Sequence, residues 1–185
     1  ERIARSTINT NITNISGVPS WMMAVIKRVL EITGAQSLDE VWPNLEIFFH
    51  GGVSFAPYRE TYQQLIRGSR MQYRETYNAS EGFFGVQNDP ADPAMMLMLD
   101  YGVFYEFIPM DELDKPNPNI VPLTGVEIGR NYAVVISNPC GLWRYMIGDT
   151  VRFTNKDPYK FVISGRTKHF INAFGEELVV ENAEK

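Results

Sequence analysis

The sequence predicts an α/β fold: a parallel βαβ layer followed by a mostly antiparallel β-sheet or small barrel, ending at a hinge and the start of a C-terminal domain helix. Three observations carry that expectation. Two apolar, aromatic-rich runs, "LEIFFH" and "MQYRETY", flank a helical pattern within about thirty residues, the length of one strand-helix-strand unit. Beyond residue 90, short apolar runs alternate with Gly, Pro and Asn at intervals of roughly eight to twelve residues, as antiparallel strands do. Last, "SGRTKHFINAFGEELVVENAEK" leaves a strand, passes two glycines and enters a run of helix formers from Glu176.

The elements follow in order. From Pro19 to Ile32, the residues Met22, Val25, Ile26, Val29 and Leu30 make one apolar helical face, and Gly34 supplies the stop. Ser37 and Glu40 have capping-box spacing, which predicts a short second helix in "SLDEVW". "LEIFFH" has the length and aromatic content of a buried strand and ends at Gly51-Gly52. Between Pro57 and Gly68, Tyr58, Tyr62, Leu65 and Ile66 keep helical spacing, with Pro57 suited to a first turn. "MQYRETY" is the next strand, so the pair is parallel with a right-handed crossover, and a ligand belongs at the carboxyl ends, in the loops "HGGVS" and "NASEG". "AMMLMLDYGVFYEFIPM" reads as two strands about an Asp-Tyr-Gly turn, and "DKPNPNIVPLTG" as a connection. Strands near 131–137, 142–153 with a break at Gly148, and 159–163 complete the sheet, separated by "NPCG" and "NKDP".

The 185 residues are 44% hydrophobic and 12% aromatic, which supplies one large core or two small ones. A net charge of -5 argues against a broad nucleic-acid face. Cys140 is the single cysteine, so no internal disulfide forms; it reads as a small buried hydrophobe in a reducing cytoplasm. No apolar run reaches the roughly 18 residues of a membrane span, and "ERIARSTINT" has no signal-peptide core. Without an initiator Met, and ending inside an expected helix, the chain reads as a piece of a longer protein.

No Walker loop, dinucleotide fingerprint, HExxH, CxxC or GxSxG is present. His50 and His169 are far apart and read as structural. Glu81 stands beside Ser80 at the tip of a parallel strand: either the carboxylate gives oxygens to Mg²⁺ while the hydroxyl meets phosphate, or both satisfy a solvated turn. Tyr77 is a base-stacking or a core aromatic. Phe83 and Phe84 line a pocket or fill the core. From 144 to 168 the cations Arg144, Arg152, Lys156, Lys160, Arg166 and Lys168 face only Asp149 and Asp157, which is either a polyphosphate contact or the charged outer face of a sheet. Asp149 accepts hydrogen bonds from ribose hydroxyls or caps a bend.

Together "YNASEG", "WRYMIGD" and "SGRTKHFINAFGEEL", in this order, resemble the adenylate-forming superfamily. With "FFHGGVSF" and "YNASEGFFG" they are most similar to the acyl-acid amido synthetases called Gretchen Hagen 3 or auxin-responsive promoter proteins, especially their bacterial branch, over nearly the whole chain. The resemblance implies ATP and Mg²⁺. It assigns Gly51 and Gly52 to a backbone loop against adenine, Tyr77 to the base, Ser80 to the α-phosphate and Glu81 to Mg²⁺. Asp149 is implied to hold the ribose, Arg166 to lie near ribose and phosphate, and Lys168 to be the hinge. Asn78 and Ala79 stand where the superfamily often has Gly-Thr or Gly-Ser. Residues 1–90 are then part of an α/β nucleotide-binding subdomain, 91–164 an antiparallel β subdomain, and 165–185 the hinge and start of a truncated C-terminal domain.

The implied activity is activation of a carboxylic acid as acyl-AMP and transfer to an amino acid, giving an amide. The upstream phosphate loop and most of the mobile C-terminal domain fall outside the sequence, so the fragment alone is expected to be inactive. The alternatives are an acyl-CoA ligase, with a thiol acceptor, and a non-catalytic nucleotide-binding or interaction domain. Small carboxylic acid and amino acid substrates, with no nucleic acid or membrane, are the expected partners.

Overall fold

The computed structural model describes residues 1–68, 70–168, 170–173 and 176–179. The chain divides into two compact units: Glu1–Ser80 with Gly85–Pro93, and Glu81–Phe84 with Ala94–Lys185.

The first unit begins with α1 (Arg2–Thr7), β1 (Asn14–Gly17) and α2 (Pro19–Thr33). It continues through β2 (Ile47–His50), α3 (Arg59–Leu65) and β3 (Gln72–Ala79). β1 pairs with β2 and β2 with β3, all parallel, so the expected βαβ unit is present and is preceded by another. β1 escapes the sequence pattern because only Ile15 of its four residues is buried. α2 starts with Pro19 and ends at Gly34, whose φ of 73° sits in the left-handed region where an L side chain is strained. Its apolar face is real: Ile26 and Val29 are fully buried, with Met22 and Leu30 packed around them. The second expected helix is only a single 3₁₀ turn, Leu38–Glu40. The capping box does not close there, since Glu40 Oε1 accepts from the Gln36 N–H and Ser37 makes no cap bond. α3 is shorter than its periodicity, and Pro57 precedes it rather than entering its first turn. Phe48, Phe55, Tyr62 and Trp42 fill the core on the helix side, and Tyr62 Oη donates to the Pro19 carbonyl at 2.7 Å.

β4 (Gly82–Val86) follows β3 after a two-residue turn, Ser80-Glu81, and the Gln87 N–H donates to the Glu75 carbonyl at 2.8 Å. The stretch expected as a loop is therefore the tip of a hairpin.

In the second unit the strands are β5 (Met95–Leu97), β6 (Phe104–Pro109), β7 (Val121–Pro122), β8 (Asn131–Ser137), β9 (Tyr145–Lys156) and β10 (Tyr159–Arg166). Their order is β5-β10-β9-β8-β6-β7, antiparallel at each pair, so of the two sheet forms expected it is the open one. β5 and β6 flank the Asp-Tyr-Gly turn as expected but do not pair with each other; β10, β9 and β8 lie between them. β8 is buried along both faces, Tyr132 through Ile136. Phe84, Tyr105, Phe107, Tyr132, Phe153 and Phe161 form an aromatic core with edge, tilted and stacked contacts. Phe84 is thus core, and Phe83 lies tilted against Tyr101 at 5.7 Å.

Among the described residues, Glu176–Val179, expected to open a helix, form a strand instead. β11 (Phe170–Ala173) pairs antiparallel with β12 (Glu176–Val179), so local pairing overrides the helical propensity of Glu-Glu-Leu, and β-branched Val179 suits a strand. Residues 180–185 of that expected helix, and His169, lie outside the described residues.

Candidate active site

In the first unit the carboxyl ends of the three parallel strands meet at a cleft of about 150 Å³. Ser16 lines it from β1 and Val18 from just after it, Gly51 and Gly52 after β2, and Thr76 and Asn78 from β3. This is where a parallel sheet places a ligand. Gly51 is required by close approach: a Cβ there would stand 2.4 Å from the Thr76 carbonyl oxygen. Thr76 Oγ1 donates to the His50 carbonyl at 3.1 Å, which joins the two strand ends. Gly52 has φ 81°, in the left-handed region.

Side chains alternate along a strand, so Tyr77 points to the face of β3 opposite Thr76 and Asn78. It is 6% exposed. The two expected adenine contacts, the glycine pair and Tyr77, do not line one cavity in this unit. Glu75 shares the Tyr77 face, and burial pushes its carboxyl above the usual carboxylate range. Ser80 is exposed at the hairpin turn. The sequence reading missed Ser16, Val18 and Glu75; the Gly17-Val18-Pro19 step into α2 was the available signal for the first two.

His50 is 4% exposed and stacks on Phe55 at 4.2 Å, as a structural histidine. Burial first, and Arg59 second, lower its pKa to about 4.

In the second unit Glu81 is half-buried, and its carbonyl accepts from Asn138 Nδ2 at 3.1 Å. Asn138 was read only as part of the separator "NPCG". Cys140, expected to be buried, is exposed because it sits in that same turn.

Asp149 and Arg166 are directly opposite on β9 and β10, and Arg166 Nη1 donates to Asp149 Oδ1 at 2.7 Å. The Asp149 side chain is 11% exposed and that of Arg166 34%. Gly148, φ 97°, sits where the β8–β9 register shifts, and its carbonyl accepts from the Thr167 N–H at 2.8 Å. The sequence therefore brought together two distant residues that the structure pairs. Lys168 is exposed, two residues past β10.

The basic stretch is largely engaged within its own unit. Arg144 makes a two-pronged pair with Glu106 at 3.0 and 2.9 Å, Arg166 is on Asp149, and Lys156 Nζ donates to the Thr124 and Val126 carbonyls. A continuous polyphosphate face across these cations is not built.

Among the described residues no three His, Cys, Asp or Glu side chains gather to hold a metal. Glu81 alone, at a turn, fits Mg²⁺ held jointly with substrate phosphates, because that ion keeps several waters and takes one or two carboxylates. It does not fit an all-protein metal cage. Among the described residues no helix is long and apolar enough to cross a membrane.

The profile of the GH3 family N-terminal domain matches residues 1–71, and that of the GH3 family central domain residues 96–166. An indole-3-acetic acid-amido synthetase, GH3.8, of Oryza sativa subsp. indica is 32% identical over 128 residues, covering 63% of this chain and 20% of that protein. The solved AtGH3.15 acyl acid amido synthetase in complex with 2,4-DB superposes with a TM-score of 0.68 at 18% identity, over 89% of this chain and 37% of that one. A 2-hydroxyisobutyryl-CoA ligase in an open conformation gives a TM-score of 0.65 at 14% identity, over 97% and 42%. The fold is thus shared by an amide-forming and a thioester-forming enzyme, and the chain spans less than half the length of each of these proteins. Two profiles of one family account for most of the sequence in order, and the chain belongs to the GH3 family.

Proposed function

We propose that this chain is part of an ATP-dependent acyl-acid amido synthetase that forms an acyl-adenylate and passes the acyl group to an amino acid. The observation that carries the reading is the Asp149–Arg166 pair: residues that the family resemblance assigns to one nucleotide stand 2.7 Å apart on neighbouring strands. The relatives' printed activities support the amide product. Within the family we place the chain in the bacterial branch, on the resemblance of "YNASEGFFG" alone. Residues 1–90, 91–164 and 165–185 serve as nucleotide-binding subdomain, β subdomain and hinge.

In the first half-reaction a substrate carboxylate oxygen attacks the α-phosphorus of ATP, and the bond to pyrophosphate breaks. Catalysis here is placement of two anions and neutralisation of developing charge. Asp149 accepts from the ribose hydroxyls, Arg166 holds that carboxylate in line and faces the phosphate, and the Ser80 hydroxyl donates to an α-phosphate oxygen. The Gly51-Gly52 backbone bounds the base, and Tyr77, buried on the opposite face of β3, stays outside that cleft. Glu81 would hold Mg²⁺, which when bound neutralises charge on the leaving pyrophosphate. In the second half-reaction the amine nitrogen attacks the acyl carbon, AMP leaves, and the nitrogen loses a proton. Lys168 lets the small domain change pose between the two.

The test is ATP–pyrophosphate exchange by the full-length protein over a panel of carboxylic acids, followed by product analysis with amino acids and with coenzyme A. Acid-dependent exchange and an amide are expected; acyl-CoA without amide, or no exchange with any acid, sinks the reading. Glu81→Ala is expected to depress exchange by about 10- to 100-fold with the fold intact.

A further inference from the structure

The turn from Asn138 to Arg144 is held more firmly than a loop of its length requires. Asn138 Oδ1 accepts from the Cys140 N–H at 3.0 Å and the Leu142 N–H at 3.3 Å, and the Asn138 N–H donates to the Leu142 carbonyl at 2.9 Å. Arg144 has φ 48°, a left-handed conformation that a non-glycine residue holds only when its surroundings fix it. They do: its N–H donates to Ser137 Oγ at 2.9 Å, and its guanidinium grips Glu106 with two bonds.

The amide nitrogen of the Asn138 side chain is used outside the turn. Nδ2 donates to the carbonyl of Glu81, 57 positions away in sequence. The requirement on residue 138 is therefore an acceptor for two N–H groups and a donor for one C=O on a single short planar group. Asparagine meets it; aspartate, serine and alanine do not.

We propose that Asn138 is a positioning residue: it fixes the Glu81 peptide against a strained, clamped turn and so sets where the Glu81 carboxylate stands toward a Mg²⁺–nucleotide. This rests on the assignment of Glu81 given above. Asn138→Asp isolates the contact. It keeps the oxygen that accepts from Cys140 and Leu142 but turns an oxygen toward the Glu81 carbonyl, which replaces attraction by repulsion. Asn138→Ala removes all three bonds.

The test uses the full-length protein and two readouts other than turnover: calorimetric binding of ATP with Mg²⁺ and with EDTA, and hydrogen exchange of the backbone amides. In Asn138→Asp the Mg²⁺-dependent gain in ATP affinity is expected to fall about 10-fold, within the range for losing a residue that orients a metal ligand. Affinity in EDTA is unchanged, exchange rises over residues 79–83, and residues 140–144 stay protected. In Asn138→Ala both segments exchange faster. Wild-type Mg²⁺ gain in Asn138→Asp overturns the proposal whatever the exchange shows. A wild type that binds no Mg²⁺–ATP overturns the functional reading first, and this inference with it.

Discussion

Gly51→Ala probes the narrowest point of the β2–β3 junction. The added Cβ falls 2.4 Å from the Thr76 carbonyl oxygen and 3.1 Å from its hydroxyl. Reaching even the 3.0 Å floor of real contacts parts the strand ends by about 0.6 Å. The Thr76 hydroxyl bond to the His50 carbonyl, now 3.1 Å, then leaves hydrogen-bonding range. Overpacking of this kind costs about 1–3 kcal/mol, and the lost bond about 1 kcal/mol more. A loss of about 2–4 kcal/mol is expected, with a weaker nucleotide KM because the cleft wall moves. Urea denaturation of the full-length protein measures the first and pyrophosphate release the second. Gly34→Ala is the comparison: its φ is 73° but nothing lies within 4 Å of the new Cβ, so only backbone strain of about 1–2 kcal/mol applies. A Gly51→Ala protein no less stable than Gly34→Ala, with unchanged KM, would refute the close-approach argument.

Two further outcomes follow from single residues. His50 has a folded pKa of about 4 against an ordinary value of 6.5, so the unfolded chain takes up the proton first as pH falls. Stability is complete above pH 6.5 and declines toward pH 4 by about 3 kcal/mol; His50→Phe, which keeps the stack on Phe55, should flatten that part of a stability–pH curve, and an unflattened curve would assign the titration elsewhere. Asp149→Ala removes the carboxylate opposite Arg166 and is expected to raise nucleotide KM about 10- to 100-fold, while erasing the preference for ATP over 3′-deoxy-ATP; a retained preference would take Asp149 off the ribose.

Much of the fold was legible where burial writes itself into periodicity. The Met22-to-Leu30 stripe, the aromatic "LEIFFH" and the Gly34 stop each report a local physical demand. β1 was not legible, because a strand with one buried residue in four leaves no alternation to read. Pairing is less local still. "DYG" looks like a hairpin turn, yet nothing in its residues says that β5 and β6 choose other partners. In the site, Asp149 and Arg166 were named from motif order, and the ladder that makes them neighbours depends on a register shift on β10 between Ile163 and Gly165. Asn138 was invisible as more than a turn residue, since its second role is a contact 57 residues away.

The separation of β5 from β6 also bears on how the chain is made. Emerging from a ribosome, Met95–Leu97 appears before its partner β10, and Phe104–Pro109 before its partners β7 and β8. The β8-β9-β10 meander closes through short turns and is the fast, local step; β5 and β6 then dock on its opposite edges, each at a long loop-closure cost. Until residue 137 is out Tyr105 and Phe107 lack the β8 ladder, and until residue 166 is out Met95 lacks the β10 ladder, though all three are buried in the finished sheet. A stalled or truncated translation product ending near residue 125 would therefore be a better substrate for chaperones and aggregation than either a shorter or a longer one.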